Sequence, residues 1–105
     1  VDVFAAATNA LFADPNIARD ATWRAGGADP GITVRVITRR PDQVVSFGDS
    51  RAVLPTLLVD VRRSDVPTPA SGDTVEIGGD LFEIIATPMS DSLGLVWTCE
   101  AVLPV

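Results

Sequence analysis

Between residues 73 and 87 two short alternations of apolar and polar side chains, Val75/Ile77 and Phe82/Ile84, flank Gly78-Gly79-Asp80. Period-two alternation places one set of side chains on one face of a strand, and glycines supply the positive φ that a tight hairpin needs. This hairpin constrains the chain more than any other feature, because a two-stranded ribbon is not stable alone and must be completed by further strands. The sequence contains them. Residues 18–24 place Ala21 and Trp23 on one side. Residues 32–40 place Ile32, Val34 and Val36 opposite Thr33, Arg35 and Arg39, with Ile37 breaking the pattern. Residues 56–63 place Leu57, Val59 and Val61 on one face, and residues 95–103 place Leu95, Trp97, Cys99 and Ala101 on one face. Strands are therefore expected over 18–24, 32–40, 56–63, 73–78, 81–87 and 95–103.

The segments between them are rich in Gly and Pro. Residues 25–31 hold three glycines and Pro30, 66–72 hold Pro67, Pro69 and Gly72, and 88–94 form another turn-rich loop. Residues 43–55 form a long excursion in which Gly48, Asp49, Ser50 and Pro55 interrupt Val44, Val45 and Phe47. The N-terminal segment differs. It is rich in Ala, and Phe4, Ala7 and Leu11 recur at helical spacing with Val3 beside them. A helix over about 2–13 follows, stopped at Asp14-Pro15 because a residue before proline avoids the α region. Barely three turns long, it needs something to pack on. The expectation is a single mainly-β domain over 1–105: a small β-barrel or sandwich of five to six strands, one N-terminal α-helix and long loops.

Of the 105 residues 47% are hydrophobic, which is enough to build a core. There is no histidine, so the commonest general base and metal ligand is missing and neither a Ser-His-Asp nor a Cys-His unit can be built from one chain. Gly48-Asp49-Ser50 looks like an esterase nucleophile segment, but without a histidine it reads as a loop turn. The glycines at 26–31 have phosphate-loop spacing but are followed by Ile32-Thr33 rather than a lysine and helix. The lone Cys99 can form no internal disulfide and, on an apolar strand face, reads as a buried thiol. The acids read as solvated surface; Asp60 and Asp65 lie near each other, but no EF-hand spacing is present. No catalytic, cofactor or metal site is expected.

Eight arginines, no lysine and fourteen acids leave a net charge of −6. That disfavours a sequence-reading DNA binder, which needs a basic face, and suits a surface past which DNA slides. No run is long and apolar enough to span a membrane, and the acidic, Lys/Arg-free N-terminus is unlike a signal peptide; a soluble intracellular protein is expected. The pairs Arg39-Arg40 and Arg62-Arg63 stand at strand ends, and with Trp23 they are candidate subunit or partner contacts.

The order of features carries a resemblance. A short helix precedes Asp14-Pro15-Asn16-Ile17-Ala18 and a glycine loop. Then come Val34-Arg35-Val36-Ile37, Arg39-Arg40-Pro41-Asp42, Phe47-Gly48, Leu58-Val59-Asp60-Val61-Arg62, the run from Gly72 through Val75 and Ile77 to Gly79, and Leu95-Val96-Trp97-Thr98. Over nearly its whole length the chain resembles the head–tail joining proteins of tailed phages, prophages and gene transfer agents, related to the lambdoid tail-attachment (stopper) proteins. The resemblance implies a β-barrel-like subunit of a ring, typically of six copies, between a portal-side adaptor and the tail. Such a ring closes the channel after DNA packaging and offers the docking surface for a tail terminator or tail tube protein. Its implied location is a virion or phage-like particle assembled in the host cytoplasm, with packaged DNA passing and no cofactor or membrane partner. Residues 43–55 are long enough to project into the channel, which makes Val44, Val45, Phe47, Asp49 and Arg51 candidate channel-loop residues. A ring of six would carry six times the charge of −6 and discourage DNA from sticking. The rival readings are a tail-terminator ring protein of the same particle, a helix-rich head-side adaptor, a monomeric small barrel that binds a ligand or nucleic acid, and a carboxylate-based enzyme.

Overall fold

The structure, a computed structural model, describes residues 3–40 and 56–103. The chain runs through α1 (Val3–Ala13), β1 (Arg19–Arg24), a 3-10 turn (Ala25–Gly27), β2 (Ile32–Arg39), β3 (Thr56–Arg62), β4 (Thr74–Ile77), β5 (Asp80–Ile84), β6 (Met89–Ser90) and β7 (Val96–Val102). The strands pair in the order β3-β2-β1-β4-β5-β7, all antiparallel, and β3 pairs again with β7 to close a six-stranded barrel; β6 adds a seventh, two-residue strand on β7. Of the two expected architectures, barrel or sandwich, the barrel is found. Closure leaves the six main strands without a free edge.

The alternating pattern decides which way each strand faces. Ala21 and Trp23, Val34 and Val36, Leu57, Val59 and Val61, Val75 and Ile77, Phe82 and Ile84, and Cys99 and Ala101 all turn inward and form one continuous core. Registers agree with this: Val36 lies opposite Val61, Val59 opposite Cys99, and Val75 opposite Phe82, so inward residues meet across each ladder. The β4–β5 turn carries positive φ at both Gly78 (+59°) and Gly79 (+90°), which places the hairpin among the turns whose twist matches that of the strands.

Four boundaries and faces differ from the sequence expectation. The strand expected over 81–87 ends at Ile84, although the Ile85 amide still donates to the Glu100 carbonyl at 3.0 Å. The loop expected over 88–94 contains β6. Ile32, expected inward with Val34 and Val36, is exposed, because it opens β2 at the barrel rim. The largest difference concerns α1. Phe4, Ala7 and Leu11, grouped by spacing on one face of a helix expected to need packing, are exposed, while Phe12 is only 2% exposed. The helix lies outside the barrel, held at its last turns: Arg35 Nε donates to the Phe12 carbonyl at 2.8 Å, Arg62 Nη1 donates to Asn9 Oδ1 at 3.2 Å, and the Arg62 guanidinium lies 5.4 Å from the centre of the Phe12 ring. These contacts rotate Phe12 toward the barrel and the heptad-like apolar stripe away from it.

Candidate functional site

Among the described residues no group of three His, Cys, Asp or Glu side chains is placed to hold a metal ion. Cys99 is buried, and burial, reinforced by the nearby charges of Asp60 and Asp73, pushes its thiol up to about 12; the thiolate that a nucleophile requires is not available there. The buried carboxylate of Asp73 is used structurally. Its Oδ2 accepts from Trp23 Nε1 (3.1 Å) and from the Ala70 amide (2.9 Å), and its Oδ1 from the Gly26 amide (2.8 Å). One side chain thus joins β1, the turn that follows it and the 66–72 connector.

This bond also corrects the place of Trp23. Expected at a subunit contact, it is 2% exposed and belongs to the barrel core, which leaves almost no indole surface for a partner. Trp97 packs against the core from its rim, with the Arg63 guanidinium 4.3 Å from its ring centre; that arrangement combines cation–π attraction with cover for the indole face.

The paired arginines at strand ends divide by neighbour. Arg39 Nη2 donates to both carboxylate oxygens of Asp60 (3.0 and 3.1 Å), whose Oδ1 also accepts from Thr98 Oγ1 at 2.7 Å. This ties β2, β3 and β7 together on the outer wall. Arg62 pairs with Asp65 (2.8 Å) while holding α1. Arg63 donates to the Gly94 carbonyl (2.7 Å) and to Ser90 Oγ (3.0 Å). Three of the four arginines expected to reach a neighbour are therefore occupied inside the domain. Arg40 is exposed at the end of β2 and makes no ion pair to a described residue. The channel-loop candidates Val44, Val45, Phe47, Asp49 and Arg51 lie outside the described residues.

On α1 the surface turned outward is apolar. α1 contains no charged residue, and Val3 (70% exposed) and Leu11 (49%) face solvent with the alanines between them. A groove of about 320 Å³ separates the helix from the β3 end and the Gly94-Leu95 segment, bounded by Ala5, Asn9 and Arg63. Met89 (72%) and Leu93 extend the apolar surface on the β6 side. For a domain of this size, exposed apolar side chains gathered on a helix mark an interaction surface. Sequence reasoning grouped the helix residues on one face without fixing which way it turns, and read Met89 and Leu93 as loop; it missed the roles of Asp73 and Asp60, whose only signals are an acid directly before a strand and an acid within the outward set of one.

A family model described as Phage Head-Tail Attachment protein matches residues 1–101. A search of curated proteins returns no match.

Proposed function

The chain belongs to the phage head–tail attachment protein family, and from that premise we propose that it is a non-catalytic connector subunit that assembles as a ring, of about six copies by the family resemblance and the symmetry habit of homo-oligomers, between a portal-side adaptor and the tail. The family places it in the virion, in a structural head–tail joining role and in contact with other phage head and tail proteins. In the finer reading the ring closes the DNA channel after packaging and presents the surface on which the tail docks.

The observation that carries this reading is the outward apolar face of α1. The outward face of this charge-free helix, with Val3 and Leu11 turned to solvent, gains little from folding of the single domain, and burial of such a face contributes roughly 25 cal/mol per Å² once a partner covers it. The acidic balance supports the channel part of the reading, since a ring with this charge repels passing phosphates. The channel-facing role of Val44, Val45, Phe47, Asp49 and Arg51 belongs to the same proposal; its support is that β2 ends and β3 begins at one mouth of the barrel, on either side of that segment.

Two measurements test it. Imaging of particles should find the chain as a closed ring at the head–tail joint, and particles without it should have full heads that lose DNA and carry no tail. Deletion of residues 44–51 should change DNA retention while the purified domain keeps its unfolding transition. Joined, DNA-filled particles in the absence of the protein would refute the connector role.

A further inference from the structure

We propose that the mouth of one barrel receives two carboxylates from the outer wall of the next copy: Arg19 and Arg40 of one subunit take Glu83 and Glu100 of its neighbour. This rests on the ring reading above and deepens it by naming the residues that join one copy to the next.

Among the described residues Arg24, Arg35, Arg39 and Arg62 are held in ion pairs, and Arg63 is held by hydrogen bonds and the Trp97 ring. Arg19 and Arg40 are in none of these, and both line a single cleft of about 230 Å³ at the barrel mouth, with Thr38, Gly78 and Asp80 around them and Phe82 beneath. Arg19 reaches over the β4–β5 turn: Gly78 sits at a φ of +59°, and a Cβ there would lie 2.8 Å from Arg19 Nη2, so the guanidinium lies close against the turn backbone. Two permanently charged guanidiniums in one polar cleft are a receptor for oxyanions, and their planar forks match carboxylates. Asp80 in the same cleft offsets part of its positive charge, which suits one or two carboxylates and not a long run of phosphates. A pair of carboxylates on an otherwise uncharged patch fits better.

The chain carries such a patch. Glu83 on β5 and Glu100 on β7 are exposed and make no ion pair to a described residue. Glu83 lies opposite Val102 and Ile85 beside Glu100, which makes the two acids diagonal neighbours about 7–8 Å apart on one face. Leu81 and Ile85, both exposed, flank them. The cleft opens at the barrel mouth, where Asp80 and Phe82 of β5 help to line it, whereas Glu83 and Glu100 lie on the outer wall beside that mouth. Two different, complementary patches on one chain make a heterologous contact, the kind that propagates from copy to copy and can close as a ring.

The test is a charge swap read in assembled particles, with copies of the protein per joint and the yield of tailed, DNA-filled particles as readouts. Arg19→Glu with Arg40→Glu, and separately Glu83→Arg with Glu100→Arg, should each lower that yield by about tenfold or more, because like charges then face each other. The fourfold swap should restore it. The neutral pair R19Q/R40Q should give an intermediate yield that falls further as salt is raised, and thermal unfolding of each purified variant separates assembly defects from folding defects. The proposal is overturned if the swap restores nothing while either reversal alone blocks joining, since the two patches then serve different partners. It is also overturned if the arginine reversals leave joining intact and change only DNA retention, which would make the cleft a phosphate contact. A particle in which wild-type protein forms no ring would refute the ring reading itself.

Discussion

Along β3 every second residue, Leu57, Val59 and Val61, disappears into the barrel core, whereas along α1 the core takes only Phe12. Both segments are rich in apolar residues. In the barrel that content is used within the chain: six strands close, inward residues meet across every ladder, and the arginines and acids of the outer wall largely satisfy one another. The last turns of the helix are held to the barrel through Phe12 and Asn9, and much of its apolar surface stays outside. On the proposed connector role, the contrast separates what the domain needs to fold from what the joint needs to assemble, and substitutions in the two regions should have opposite signatures.

The largest effect is expected in the barrel. Ile84 is fully buried where β5 meets β7. Ile84→Ala should cost about 4 kcal/mol of stability through lost burial and the cavity left behind, seen as a lower midpoint in denaturant unfolding. A loss below about 1 kcal/mol would mean that the barrel interior is loosely packed.

The helix offers the sharper comparison because its two faces can be tested separately. Phe12→Ala should cost about 3 kcal/mol, with loss of the fixed seat of α1 on the barrel. Leu11→Ser, one residue away, should change stability by no more than about 0.5 kcal/mol and yet reduce incorporation of the protein into particles. If Leu11→Ser destabilises the isolated domain as much as Phe12→Ala does, the outward face is not reserved for a partner and the contrast collapses.

Asp73 tests the polar side of the barrel. Asp73→Ala strands the buried Trp23 N–H and two backbone amides, so a loss of about 2 kcal/mol is expected. Asp73→Asn keeps an acceptor and should lose about half as much. Trp23 fluorescence should shift in the alanine variant as the indole loses its acceptor.

The barrel was legible because period-two alternation is enforced at every strand by a core that has one side. Val59 can face only inward if Asp60 is to face water, and the same holds for Val75 and Thr74. The hairpin was legible for a further reason, since Gly78-Gly79 carries a backbone demand that few other residues meet. The inward face of α1 was not legible. Helical spacing groups Phe4, Ala7 and Leu11 correctly, but a stripe meant for the same domain and a stripe meant for another protein are written in the same residues. The roles of Asp73 and Asp60 depend on partners 50 and 21 residues away in the chain, a separation that no local pattern encodes. Trp23 was read as a candidate subunit contact because tryptophan is enriched at interfaces; the deciding fact, a buried carboxylate within reach of its N–H, is tertiary.

The smallest effect concerns Cys99, and it isolates one buried group cleanly. Burial first, and then the charges of Asp60 and Asp73, raise this thiol from 9.0 to about 12. Between those values the folded state keeps a proton that the unfolded state releases, so the contribution to stability is full below pH 9 and declines as pH rises toward 12. From pH 9 to pH 10 the decline should be about 1 kcal/mol. The chain has no tyrosine and no lysine, so no other side chain with an ordinary pKa in that window competes for the assignment. Unfolding measured against pH should therefore fall across this range in the native sequence and run flatter in Cys99→Ala, which has no thiol to titrate. In the folded protein at pH 8 a thiol reagent should label Cys99 far more slowly than in denaturant. Equal rates in both states would show that the barrel opens readily at β7, and the division between a closed barrel and an outward-facing helix would then have to be redrawn.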